Sequence, residues 1–293
     1  MGEAIVDLIC EQRLEDPVEA DEFRPHPGGA VANVAVAVAR AGGDAALLGG
    51  VGDDAWGRWM RARFEEESVS TRWLETVPGR PTPLAIVTFD RDGEPAFQVY
   101  GEGIEETMLL AGERLEEALA TSEALVFGSN TLVGEDEREL TLRARDAAAA
   151  QGLPVLFDPN LRPTRWASVD DAAAHCRAAC EDVFCVKAAH DEGELLTGCA
   201  DPAAAAEKLC EFGARVAVVT RGAQGAVMRG EASGEVGAPE VDVVAPLGAG
   251  DAFMGALAAG FSAAGWDPKR AAEALPGASA AGAAACTGWG AYT

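Results

Sequence analysis

Basic residues are scarce in this chain: its 293 residues hold 23 Lys+Arg against 48 Asp+Glu, a formal net charge of −25. A surface of that sign repels phosphodiester backbones and anionic lipid headgroups, which argues against nucleic acid and membrane partners. A bound polyanion would have to be held locally, by helix ends, fixed donors and a divalent cation, against the global field. No apolar run reaches the roughly 20 residues of a membrane span, and the opening MGEAIVDLICEQ lacks a basic leader region and a cleavage site. The expected location is cytoplasmic. No G-x-x-x-x-G-K-[ST] occurs, so a P-loop kinase is excluded by pattern. Zinc-type pairs of CxxC are missing too. Cysteines 10, 176, 180, 185, 199, 210 and 286 are scattered through apolar or Ala-rich contexts. Cys176 and Cys180, one helical turn apart beside His175, leave a metal or redox reading open next to that of ordinary reduced thiols. Internal repeats and low-complexity linkers are likewise absent.

What is present alternates: short β-rich runs and Ala-rich amphipathic stretches, the pattern of βα units on a largely parallel sheet. Strands are predicted at 4–9, 45–50, 124–129, 154–159, 182–187 and 215–220, and helices at about 29–41, 54–67, 135–151, 202–212, 250–264 and 268–285. Several of these strands end in Gly or a polar residue, where open α/β sheets place ligands. Two segments break the rhythm. Residues 84–100 alternate around Asp92-Gly93, a hairpin signal, and 10–27 are polar and proline-containing. Together they are either a flap over a crevice or a surface hairpin without a role.

The stretch APLGAGDAFM, 245–254, carries the chemistry. Small residues opening a helix leave backbone N–H groups unpaired at the positive end of its dipole, an anion site that a bulky side chain would block. Gly248, Ala249 and Gly250 form this cradle. Asp251 beside it is either a general base, taking a proton from a hydroxyl as that hydroxyl attacks phosphorus, or a helix cap. Asp7, at the end of the first strand, is placed to accept hydrogen bonds from vicinal hydroxyls or is an exposed strand-end acid. Gly28 and Gly29 permit close backbone approach ahead of a helix, Asn33 lies one turn inside it, and Arg162 in DPNLR offers a forked donor.

GAGDAF, in this order and context, resembles the signature of the PfkB/ribokinase family of sugar kinases, and the resemblance runs over nearly the whole chain. GEAIVDLI (2–9), PGGAVANVAVAVARAGG (27–43) and LLGGVGDDAWGRWM (47–60) resemble its sugar-side motifs. FDPNLRPTRW (157–166) resembles the fructokinase-like branch, and VVTRGAQGA (218–226) the family's nucleotide-holding strand and turn. The resemblance implies a ribokinase-like three-layer α/β/α sandwich, with a largely parallel central sheet and a small β lid, in one domain over 1–293. It implies transfer of the γ-phosphoryl group of ATP, with Mg2+, to a primary hydroxyl of a free sugar: fructose, or a related ketose or sugar acid. Asp251 would be the base, and Asp7, Gly28, Gly29, Asn33, Phe97 and Arg162 would line the sugar site. Lys187, Thr220, Gly222, Gly225, Ser279 and Gly282 would serve the nucleotide. Sugar and ATP would be the small-molecule partners, and pairing through the lid would make a homodimer.

The match is incomplete. Relatives carry an acid where Ala245 stands, and that acid helps ligate a monovalent cation, so potassium activation is expected to be weak or absent. The polar partner of Glu192 is replaced by Ala189, which leaves Glu192 to hold magnesium through water. Ser279 stands where many relatives place Asn. The losses fall on the nucleotide and cation side, which fits a kinase with a relaxed nucleotide site or a sugar-binding protein of poor catalysis. Two rivals within the family are a nucleoside kinase using Phe89, Phe97 and Tyr100, and a 6-phosphosugar kinase using Arg13, Arg24 or Arg91.

Overall fold

The computed structural model describes residues 1–100 and 103–292. Leu125–Gly128, Val155–Asp158, Cys185–Ala189 and Val216–Thr220 are almost wholly buried, as strands of a parallel sheet covered on both faces must be. They pair in parallel in chain order, and the antiparallel Ala226–Gly230 and Gly234–Val236 extend the sheet to six strands. Because side chains alternate along a strand, Phe157, Val186, Ala217 and Val219 pack to one side with Leu140, Ala172 and Ala205. Leu156, Cys185, Val216 and Val218 pack to the other, with Val34, Phe253, Leu257 and Ala278. The helices supplying these residues, Glu135–Ala150, Val169–Ala179 and Pro202–Glu211 against Ala30–Arg40, Ala249–Ala263 and Leu275–Ala285, are the outer layers. The expected three-layer α/β/α sandwich is the fold.

The two rhythm-breaking segments come together in a second sheet of four strands, in the order Arg24–Gly28, Ile5–Arg13, Leu84–Phe89, Pro95–Tyr100. The hairpin turns at 90–94, where Asp90 Oδ1 accepts from the N–H groups of Asp92 and Glu94 and Gly93 takes φ +87°. Between Ile9↔Val87 and Arg13↔Phe89 the register slips, so the end of the first strand bulges.

Several boundaries differ from expectation for local reasons. The run 45–50 is split into Ala45–Ala46 and Gly49–Gly52, each pairing with a different short strand. The strand predicted from 182 starts at Cys185, because Asp182 sits at φ +56°. Residues 268–285 are a 3-10 turn, Pro268–Ala274, followed by Leu275–Ala285, whose second residue, Pro276, lacks the N–H that one continuous helix would need. The helices Ile104–Gly112, Leu115–Leu119, Val169–Ala179 and His190–Thr197 were not foreseen. Cys176 and Cys180 are buried, burial pushes the Cys180 thiol up to about 12, and all seven cysteines are free. Among the described residues no three His, Cys, Asp or Glu side chains are grouped to hold a metal.

Candidate active site

Three of the four parallel strands hand their C-terminal ends to one cavity of about 510 Å³, roofed by the four-stranded sheet. Asn130 follows Leu125–Gly128, Asn160 follows Val155–Asp158, and Glu192 follows Cys185–Ala189; all three line it. On the opposite wall the helix Ala249–Ala263 begins at Gly248, φ +75°, and presents Asp251 in its first turn. The Asp251 carboxylate does not cap its own helix. Its Oδ2 accepts from Asn33 Nδ2 at 2.9 Å and its Oδ1 from Asn160 Nδ2 at 2.7 Å, fixing it from two sides. Burial raises its pKa, opposed by the Asn33 hydrogen bond and by Lys187 and Arg162. A carboxylate so held is poised to take a proton closer to neutrality than an exposed Asp.

Asp7, Asn33, Phe97, Arg162 and Asp251 all line the cavity. Asp7 is 5% exposed and its carboxyl is pushed up to about 7, first by burial, with Arg162 opposing and the charges of Asp251 and Glu3 adding. Gly28 sits behind it. A Cβ there would lie 2.2 Å from Asp7 Oδ2, so the glycine is what leaves the carboxylate its place. Gly29, φ +99°, precedes the helix Ala30–Arg40, and a Cβ there would lie 2.3 Å from Glu3 O.

The structure adds Glu3, Asn130 and Asn160, which sequence reasoning missed. Glu3 Oε1 accepts from Ala30 N at 3.0 Å and Asn130 Nδ2 at 2.8 Å, while its Oε2 has no partner. Glu3, Ile5 and Asp7 are two residues apart, the spacing that puts side chains on one strand face, and this was the available signal. Asn160, φ +40°, follows Pro159 in the DPN turn, a conformation that Asn tolerates. Glu3 Oε2, Asp7 Oδ1, Asn33 Oδ1 and Asn130 Oδ1 are all buried acceptors without a donor, and all four residues line this one cavity. Buried acceptors are normally satisfied, so such a convergence calls for a ligand rich in hydroxyl donors.

The anion side is built from Gly248 and Gly250, which face the cavity, whereas the N–H of Ala249 turns to Pro246 O at 3.3 Å. A Cβ on Gly250 would come within 2.8 Å of Lys187 Nζ, so the ammonium lies directly under the cradle. Lys187 is buried, bound to Asp158 at 2.9 and 3.1 Å. Burial alone would lower its pKa, but Asp158 and Glu192 outweigh it and keep the ammonium charged. Arg162 lies over the Phe97 ring, 4.6 Å from its centroid, and donates to Leu161 O at 3.2 Å. Lys187 and Arg162 therefore supply local positive charge inside a strongly acidic protein.

The other nucleotide-side predictions sit elsewhere. Thr220, Gly222, Gly225, Ser279 and Gly282 do not line the cavity. Gly225, φ +84°, is required by packing, since a Cβ would reach 1.8 Å from Val236 O, and Ser279 Oγ donates to Gly237 O at 2.9 Å. Both carboxylate oxygens of Glu192 accept backbone N–H groups, from Leu161 at 2.6 Å and Ala189 at 2.8 Å, so it caps the helix His190–Thr197 and ties it to the 160–162 turn. The aromatic residues of the nucleoside alternative do not form a sandwich. Phe89 is in the core against Trp289, and Tyr100, 49% exposed, belongs to the other face of the hairpin from Phe97. Arg13, Arg24 and Arg91 do not line the cavity either.

These geometric features agree with what the chain resembles in sequence and structure. Fructokinase-1 of Zea mays is 34% identical over 258 residues, covering 87% of this chain and 80% of that protein. Fructokinase from Vibrio cholerae O395, in its fructose, ADP and calcium ion bound form, superposes with a TM-score of 0.83 at 30% identity, covering 100% of this chain and 93% of that one. A putative ribokinase II from E. coli in complex with ATP and Mg+2 gives a TM-score of 0.84 at 25% identity, covering 98% and 91%. The model of the pfkB family carbohydrate kinases matches residues 1–293, and the chain belongs to that family.

Proposed function

We propose that this carbohydrate kinase transfers the γ-phosphoryl group of ATP to a primary hydroxyl of fructose. The observation that carries the substrate side is the convergence of four donorless acceptors, on Glu3, Asp7, Asn33 and Asn130, in one cavity. Hydroxyl donors satisfy them, and the fructose-bound neighbour supports the ketose. The alternatives lose ground because, among the described residues, the cavity has no aromatic sandwich and no basic group beyond Arg162, Arg165 and Lys187, the last already paired with Asp158.

In the proposed reaction the sugar is oriented by Asp7, Asn33 and Arg162, and the donor phosphates rest on the first turn of the helix Ala249–Ala263 above Lys187. Asp251 takes the proton of the attacking hydroxyl, the new O–P bond forms, the β–γ bridging bond breaks, and ADP departs. Magnesium fits as a companion of the phosphates rather than as a protein-held ion, because no metal-binding cluster exists among the described residues and Glu192 is occupied with backbone donors. It would screen phosphate charge. The hairpin, with Phe97 and Val99 toward the cavity, acts as a lid that keeps water from the donor. Its outer face, bearing Leu8, Leu84, Ile86 and Tyr100, pairs with a second copy, and the free thiols suit a reducing compartment such as the cytoplasm.

The test is ADP release over fructose, 2-keto-3-deoxygluconate, ribose and adenosine. Fructose should give the highest kcat/KM, and a preference for adenosine, or no turnover with any of them, overturns the reading.

A further inference from the structure

We propose that Arg13 is a positioning residue that ties the lid to the phosphate loop, so that capture of the sugar under the lid strengthens the binding of the phosphoryl donor. The inference rests on the kinase reading above. Its starting point is a contact across 230 residues of chain: the Arg13 guanidinium donates through Nη2 to Val243 O at 3.3 Å and to Val244 O at 3.2 Å. Two consecutive carbonyls aimed at one cationic donor immediately precede Ala245, Pro246 and Leu247, and the last two, with Gly248, line the cavity where the phosphates would rest.

Arg13 reaches this loop because of the bulge in the first strand. Ile9 pairs with Val87 and Arg13 with Phe89, so the extra residues turn the strand end away from the regular ladder. On its other side the guanidinium packs on the hairpin turn, where a Cβ at Gly93 would lie 3.1 Å from its Cζ. The hairpin and the loop thus share one side chain. A second connection runs beside it: Val244 N and Ala245 N donate to Cys286 O at 2.9 and 3.2 Å, and Trp289, three residues on, packs edge-on against Phe89 of the lid with centroids 5.2 Å apart. The residue that follows the two carbonyls, Ala245, is fully buried in the apolar core. Arg13 is therefore a protein-borne cation on the carbonyls just before Ala245, carried by a strand of the lid sheet.

The prediction concerns coupling, which a merely structural contact would not change. In the wild-type chain, fructose should tighten binding of a non-hydrolysable ATP analogue by about fivefold or more, measured by calorimetry. In Arg13→Ala that factor should fall to about one while the affinity for each ligand alone is retained, and Arg13→Lys should recover part of it, as one ammonium can still meet a carbonyl. In the ligand-free protein, amide exchange over residues 243–250 should be faster in Arg13→Ala than in wild type. Retained coupling in the alanine variant, or unchanged exchange over 243–250, overturns the proposal. So does a loss of both single-ligand affinities together with a lowered Tm, which marks the contact as structural only. If wild type binds no fructose, the substrate reading fails while the exchange measurement still judges the tether.

Discussion

Replacing Asp251 by Asn removes one negative charge and one proton acceptor while nearly preserving shape, and the surroundings determine how cleanly this isolates chemistry. Both carboxylate oxygens accept amide donors, from Asn33 at 2.9 Å and Asn160 at 2.7 Å, so the new NH2 group must face one donor with another. An unrelieved mismatch of that kind costs about 1–3 kcal/mol. Relief is at hand on the Asn33 side. Its Oδ1 is buried and unpartnered, so rotating that amide presents an acceptor to the new NH2, and the variant also no longer buries a charge. We therefore expect a Tm within a few degrees of wild type and a weaker fructose affinity, since the rotated amide no longer offers its Oδ1 to a sugar hydroxyl. The kcat should fall by about 10²–10⁴, or roughly 3–5 kcal/mol of barrier, the range for loss of a positioned general base. ADP release under saturating ATP and fructose, with a thermal melt of the same preparation, measures both. A kcat within tenfold of wild type in a folded variant would remove Asp251 from the proton-transfer role and leave it as an anchor for two asparagines.

Three further outcomes follow from the same geometry. Because Asp7 is pushed up to about 7, it is largely protonated below that pH in the free protein, whereas sugar hydroxyls favour its ionised form; fructose binding near pH 6 should release a proton. Calorimetry in buffers of different ionisation enthalpy reads this number, which should vanish in Asp7→Asn; a value of zero in wild type contradicts the assignment. Gly28→Ala places a methyl 2.2 Å from Asp7 Oδ2, so the fructose KM should rise at least about tenfold with a much smaller change in that for ATP. With Ala245 buried in apolar core, exchanging tetramethylammonium for potassium should change turnover by less than about twofold, scored by direct detection of the sugar phosphate; a steep rise would show that carbonyls alone build the cation site.

The βα rhythm, the glycine-rich opening of the helix at 249 and the hairpin at 92–93 were all legible along the chain, because each depends on interactions between near neighbours: periodic burial, unpaired first-turn N–H groups, and turn chemistry. The identities of Asp251, Asp7 and Asn33 followed from such local features together with the resemblance. Their geometry did not. Nothing local says that Asp251 is gripped by Asn33 and Asn160, 218 and 91 residues away, or that Glu192 spends both oxygens on backbone donors. Glu3 and Asn130 were passed over because an acid before a strand and an amide after one are ordinary alone; they become a site only when the sheet brings their unpartnered oxygens into one cavity. The Arg13 contact is of the same kind, since a bulge aims the side chain and a loop 230 residues on receives it. Sequence by itself settled which segments could be strand, helix or anion cradle, because short-range sterics and hydrogen bonding decide those. Which polar groups remain without partners, and what they face, was decided only by packing, since burial and long-range pairing exist only once the chain has closed on itself.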